Sequence, residues 1–235
     1  PFFIFIVGVS IVLSQKNNGT SSSFTTIFIR SIKIFSLGIF LGVIGGFLSY
    51  LVGMGELISF SDIRIPGVLQ RIALVYFACA LLFNNTTWLQ QLYVMISLMV
   101  GYYVLMLYIP VPGIGAGLLE PGKNLAAYID SILIPGSMWQ GTWDPEGILS
   151  TLPSIATGIS GMLAGHLIIS SISMEKKIIW MFSIGVLCLL DGLVWELIFP
   201  INKNLWSSSF VMYTSGWAYL LFASLIWYCD VLNYR

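Results

Sequence analysis

Charge is what this sequence has least of. Of its 235 residues, 10 are Lys or Arg and 10 are Asp or Glu; charged residues make up 9% of the chain and the formal net charge is +0. A soluble domain carries about 25% charged residues. With no basic stripe to attract phosphates, nucleic acid is not expected as a partner. Cysteine is scarce too. Cys79, Cys188 and Cys229 each sit in or beside an apolar run, with no CxxC and no Cys/His cluster. Neither a zinc site nor a disulfide framework is suggested, and all three read as small buried hydrophobes. Walker A, GxGxxG, HExxH and GxSxG motifs are absent. Any chemistry must therefore come from scattered polar groups, and no metal is expected. No Met or charged segment precedes the first apolar run, so the opening is not a signal peptide. Both ends read as cuts through a larger protein.

Apolar residues dominate instead, at 57% of the chain, with a mean hydropathy of +0.92. Aromatics reach 14%, and many of the 8 Trp and 11 Tyr fall near span ends, where amphipathic rings favour the headgroup zone. The length has room for roughly seven spans of about 20 residues. Backbone polar groups in lipid must be satisfied within each segment, so all should be helices. The expected fold is an all-α polytopic transmembrane bundle of about seven spans, forming one domain over 1–235. The apolar segments are 1–14 (too short to span alone), about 24–52, 66–83, 88–109, 147–171, 178–199 and 207–229. Pro66 suits a first helical turn. The one long connection, 110–146, opens with Pro112-Gly113-Ile114-Gly115-Ala116-Gly117 and offers a short helix at about 124–133. Loops of this length are more often functional than idle.

Lys and Arg near the span ends set the orientation. Lys16, Arg30, Lys33, Lys176, Lys177 and Arg235 fall on one side, read as cytoplasmic; Arg64, Arg71, Lys123 and Lys203 fall on the other. The acids Glu56, Asp62, Glu120, Asp130, Asp144 and Glu146 share that outer side. The Asn-x-Thr triplets at Asn18, Asn84 and Asn85 then face the cytoplasm and should not be glycosylated. Gly38/Gly42 and Gly161/Gly165 form GxxxG pairs, read as packing within one bundle, with a dimer face as the alternative.

Three outer junctions hold the polar residues that need explaining. The first, 61–71, carries Arg64, Gln70 and Arg71, the last two inside a span. Charge there usually faces the bundle interior or a wet cavity, the alternative being a snorkelling Arg71. Arg64 and Arg71 share a face if the helix begins early. The second, 142–147, places Asp144 before Pro145 and Glu146 at a helix mouth, where a carboxylate also suits the dipole. The third is a short turn with Asn202, Lys203 and Asn204, otherwise a solvated hairpin. Asp191 lies inside the preceding span and should face a helix partner or cavity. His166 falls toward the cytoplasmic end, remote from the junctions, and reads as structural.

At these junctions the residues carry a resemblance. Ile65-Pro66-Gly67-Val68-Leu69-Gln70-Arg71, Asn124-Leu125-Ala126-Ala127-Tyr128-Ile129-Asp130, Trp143-Asp144-Pro145-Glu146-Gly147 and Pro200-Ile201-Asn202-Lys203-Asn204-Leu205-Trp206 resemble, in order, the heparan-α-glucosaminide N-acetyltransferase family and its bacterial relatives. The opening Pro1-Phe2-Phe3-Ile4-Phe5-Ile6-Val7-Gly8 is similar to the stretch after the family's Asp-Leu-Val-Phe motif. The resemblance implies a bundle of about ten or eleven spans, of which this chain is a part. It also implies transfer of an acetyl group from acetyl-CoA, across the membrane, to the amine of a terminal glucosamine or related sugar. The family's proposed catalytic histidine lies upstream of the position matching Pro1, so the catalytic residue falls outside the chain, and His166 does not match it. What carries over is the shell around the cavity: Gln70, Arg71, Asp144, Glu146, Asn202, Lys203 and Asn204. Our own reading adds Arg64. Arg64, Arg71 or Lys203 would hold phosphate or carbonyl oxygen, and Asp144 or Glu146 the amino sugar. Acetyl-CoA is cytosolic while the junctions lie outside, so its pantetheine arm has to reach through the bundle. The expected partners are the lipid bilayer and an amino-sugar substrate, with a homodimer open. A bacterial plasma membrane is the expected location, or a lysosomal membrane for an animal protein. A transporter of a polar solute and a non-enzymatic scaffold are the rival readings.

Overall fold

A computed structural model of the chain describes residues 1–18, 22–54 and 63–232, with the side chains of 16–18 excepted. Glu56, Asp62, Arg235 and the side chains of Lys16 and Asn18, all named above, lie outside what is described. The described residues form eight α-helices and no strand: α1 Phe2–Asn18, α2 Phe24–Leu51, α3 Val68–Asn85, α4 Trp88–Tyr108, α5 Leu125–Leu133, α6 Thr151–Ile169, α7 Met174–Glu196 and α8 Ser208–Ile226, the last running into a wider turn over Trp227–Val231. Six are long and apolar enough to cross a membrane, namely α2, α3, α4, α6, α7 and α8, while α1 is a shorter apolar helix. The chain is a polytopic helical membrane bundle.

Local sequence explains where helices start. Ser23, Asn124 and Ser207 each accept a hydrogen bond from the backbone N–H three residues on, and Thr87 with Gln90 forms a reciprocal capping box at α4. Two expected starts shift. α3 begins at Val68 with an extended Gly67 as its N-cap, so Pro66 lies ahead of the helix and not in its first turn. Arg64 is therefore outside α3 and cannot share a helical face with Arg71. α6 begins at Thr151 rather than Gly147, because 144–150 is taken up by turns that hold the site described below.

Helix α6 is the centre, packed against α1, α3, α4 and α8. Its small residues allow this. A methyl added at Gly161 would collide with the Phe5 carbonyl, and one at Gly8 with the Gly158 carbonyl, so α1 and α6 touch backbone to backbone. Gly165 lies against Val12 and Gly38 against Leu69 and Gln70, while Gly42 meets nothing within 4 Å. Three of the four GxxxG glycines thus pack within the bundle, and Gly42 does not. Two buried hydroxyls of α6 are satisfied within the helix: Ser154 donates to the Ser150 carbonyl at 2.9 Å and Thr157 to the Pro153 carbonyl at 3.2 Å. Helix α7 forms a hairpin with α8, and α2 leans on α3 with only Ile27 and Ser31 buried. The apolar side chains exposed along α2 and α7 are what lipid would cover. Cys79 is buried and Cys188 half-buried, but Cys229 is exposed, against expectation, because it falls on the last turn beyond the packed part of α8.

Candidate functional site: two arginines at the helix-end junctions

The long connection is folded down over the helix ends. Gly113, Gly115 and Gly117 take φ values of 76°, 114° and 77°, which L side chains rarely adopt, and let the chain reverse beside Val111. Helix α5 then buries Leu125 and Ala126 against Tyr102, Met106, Phe199 and Leu205. Asn124 caps α5, and Asp130, 1% exposed, accepts the Ile148 N–H at 2.8 Å. Burial raises the Asp130 carboxyl to about 6, and the Asp144 charge adds to this against the pull of Ile148 N–H and Arg71. Past α5, the backbone pairs with the first junction through an antiparallel bridge of Arg64 with Gly136 and a 3.3 Å bond from Ser137 N–H to the Ile63 carbonyl.

This pairing brings Arg64 onto the second junction. Its Nε and Nη2 reach Asp144 Oδ2 and Oδ1 at 2.7 and 2.6 Å, and Nη2 also reaches Glu146 Oε2 at 2.5 Å. The Trp139 ring lies 5.0 Å from the guanidinium carbon. Asp144 also accepts N–H bonds from Trp139 at 3.0 Å and Glu146 at 2.9 Å. Burial pushes the Asp144 carboxyl up, but Arg64 and the two N–H groups outweigh it and hold it below its usual value. The Asp144 hydrogen bond raises Arg64 in turn. The Asp144 side chain is 0% exposed and holds the turn together. Glu146 is half-buried, its side chain 17% exposed, with Oε1 outside the pair.

Arg71 lies within the first helical turn and is 3% exposed, so it does not snorkel. Its Nη2 donates to Ser150 Oγ and, at 3.4 Å, to the Gly147 carbonyl. Its Nε and Nη1 have no partner among the described residues. No carboxylate there lies within ion-pair distance, although Asp130, Asp144 and Glu146 are close enough to be felt. What covers the charge is the Trp206 indole, 4.9 Å from the guanidinium carbon. Trp206 is buried and has φ 52°, where a bulky residue costs about 1–3 kcal/mol. Its Nε1–H donates to Thr157 Oγ1 at 3.1 Å.

The Asn-Lys-Asn turn divides. Asn202 Oδ1 accepts the Asn204 and Leu205 N–H groups at 2.8 and 3.4 Å, so it shapes the turn. Lys203 and Asn204 are exposed. Gln70 is buried beside Gly38 and Gly67, where an added methyl would come 2.5 Å from its Oε1. The structure thus gathers Arg64, Asp144 and Glu146 into one cluster and Arg71 with Trp206, Ser150 and Thr157 into another. Ser150, Thr157, Trp206, Tyr102 and Trp139 were not singled out as functional from the sequence. The signal for Trp206 was its place in the junction motif; Ser150 and Thr157 carry none beyond being polar inside an apolar run.

His166 bonds Gln91 at 3.0 Å and stacks on Phe83 at 5.3 Å, away from both clusters. It borders a groove of about 1050 Å³ between α4, α6, α7 and α8, which Asp191 also lines.

The chain is 30% identical over a 291-residue alignment to heparan-alpha-glucosaminide N-acetyltransferase of Mus musculus, covering 98% of this chain and 43% of that protein. The Homo sapiens enzyme of the same name aligns over 290 residues at 30% identity, covering 98% and 42%. The chain is a relative of this enzyme family. It spans less than half the length of the curated relatives it matches. No family model matches it.

Proposed function

We propose that the protein is a membrane acyltransferase that moves an acetyl group from acetyl-CoA to the amine of a terminal glucosamine or related sugar. The observation that carries the reading is Arg71: a buried guanidinium with two nitrogens unpartnered among the described residues. A buried charge held without a carboxylate is costly. Those N–H groups suit a donor oxygen, either the phosphate or the thioester carbonyl of acetyl-CoA. The nearby outer rim of Glu146, Lys203 and Asn204 suits a sugar's hydroxyls and ammonium. Asp144, closed onto Arg64, shapes that rim. Gln70 sits on the same helical turn as Arg71 but packs toward Gly38 of α2, from where it supports that turn. The resemblance supplies the base, a histidine upstream of the position matching Pro1, which would take a proton from the attacking amine. The amine nitrogen then bonds to the acetyl carbon, and the carbon–sulfur bond breaks to release CoA thiol.

The test uses the full-length protein purified in detergent, with labelled acetyl-CoA and glucosamine. Acetylated sugar is expected from wild type, with at least a hundredfold loss in Arg71→Ala at normal membrane levels, an oxyanion-type donor being worth about that much. No transfer to any amino sugar by folded protein would sink the reading. Asp191, in a span with no hydrogen bond or ion pair among the described residues, favours a second reading, a transporter of a polar solute. Solute uptake into proteoliposomes without acetyl transfer would support that instead.

A further inference from the structure

A guanidinium can be stabilised in two ways, with different consequences. A carboxylate meets it in the plane and occupies the N–H groups. An aromatic face meets it perpendicular to the plane and leaves those N–H groups free. Arg71 is held in the second way, in a slot between the Trp206 indole and the Gly147–Ser150 turn, with Nε and Nη1 unpartnered. Three carboxylates, Asp130, Asp144 and Glu146, exert their charge on it without pairing.

The indole is fixed on every side that matters. Nε1–H is anchored to Thr157 Oγ1 at 3.1 Å, and Phe210 meets the ring edge-on at 5.5 Å and 78°. The turn beneath is locked by Tyr102 Oη donating to the Leu205 carbonyl at 2.6 Å and by Trp206 N–H donating to the Lys203 carbonyl at 3.2 Å. The backbone of Trp206 is left-handed, which favours Gly or Asn over a bulky ring. A residue placed there against the preference of its own backbone is placed for its ring.

We propose that Trp206 is a positioning residue. Its indole holds Arg71 away from the neighbouring carboxylates, so that two of its nitrogens stay available to the oxygen of an acyl donor. The proposal rests on the reading of Arg71 as a donor-binding group. Without the ring, the guanidinium would turn toward Glu146 or Asp130 and neutralise itself.

The test compares full-length wild type, Trp206→Phe, Trp206→Leu, Thr157→Val and Arg71→Ala, with two readouts. The first is acetyl-CoA affinity by calorimetry. Trp206→Leu should weaken it about tenfold, while Trp206→Phe, which keeps an aromatic face, should stay within about threefold. Arg71→Ala/Trp206→Leu should be no weaker than Arg71→Ala alone. Equal affinity for the Leu variant and wild type, or a Phe variant as weak as Leu, overturns the proposal. The second readout needs no ligand: the Arg71 Nε–H signal in protein labelled with ¹⁵N-arginine, assigned by its loss in Arg71→Ala. A ring above the guanidinium shifts it upfield, and Trp206→Phe should keep that shift. Trp206→Leu should abolish it, and Thr157→Val, which frees the ring but not the turn, should reduce it if the Leu variant does not fold. An unshifted wild-type signal overturns the positioning role. A shifted signal with no acetyl-CoA binding supports the positioning and overturns the donor reading.

Discussion

Arg64 and Asp144 are joined by two parallel hydrogen bonds of 2.7 and 2.6 Å across 80 residues of chain. The acid is wholly buried and the arginine about one quarter exposed. Arg64→Ala would leave Asp144 buried with only backbone N–H partners, at a cost of about 2–4 kcal/mol. The outer loop should loosen before the spans do. Limited proteolysis within 110–146 of the folded protein checks this; unchanged cleavage would refute it. In a double-mutant cycle, Arg64→Ala and Asp144→Asn should couple by about 1–3 kcal/mol.

Two carboxyls at this face should respond to pH in opposite directions. Asp130 is raised from 3.8 to about 6, so the folded protein holds that proton more tightly and is destabilised as pH rises through roughly 4 to 6. Asp144 is lowered, so its contribution is present above its ordinary value and disappears as pH falls below it. Thermal unfolding in detergent between pH 4 and 8 should show wild type losing stability as pH rises through about 6 and levelling above it. Asp130→Asn should flatten that slope; an unchanged slope would assign it to other groups.

Glycines of the two GxxxG pairs, one on α6 and one on α2, should differ in their tolerance of a methyl. Gly161→Ala meets the Phe5 carbonyl and should cost about 2 kcal/mol or more. Gly42→Ala enters open space and should stay within about 0.5 kcal/mol. Unfolding midpoints of the two variants decide it, and equal effects would argue against the α1–α6 contact.

Sidedness is open to labelling. In a Cys229→Ser background, Asn204→Cys should react with an impermeant maleimide added outside intact cells. Lys176→Cys should react only after permeabilisation. The reverse pattern would invert the topology. Both positions are exposed, so access reports the side and not burial.

Most helices were legible because they are long apolar runs, several of them opened by a small polar cap such as Thr87 or Ser207. Their starts at Val68 and Thr151 were less so. Residues 144–150 look like a helix mouth but turn to serve Arg64 and Arg71, and those partners lie far away in sequence. The same distance explains the site. Arg64, Arg71, Asp144 and Glu146 stood out as charges in an apolar chain. That Asp144 would close on Arg64, while Arg71 would meet no carboxylate, depends on how two junctions meet. Trp206 reads as one more aromatic at a span end until its left-handed backbone and its place beneath Arg71 are known.

The contacts of Gly8 with Gly158 and of Gly161 with Phe5 act as a depth gauge. With no room for a methyl on either helix, α1 cannot slide along α6 without one backbone climbing over the other. The height at which α1 stands against α6 is therefore set near mid-helix, by two residues that carry no side chain at all. Loops at the surface could lengthen or shorten without disturbing that alignment, whereas a single methyl at mid-helix would put every group at the outer face out of step.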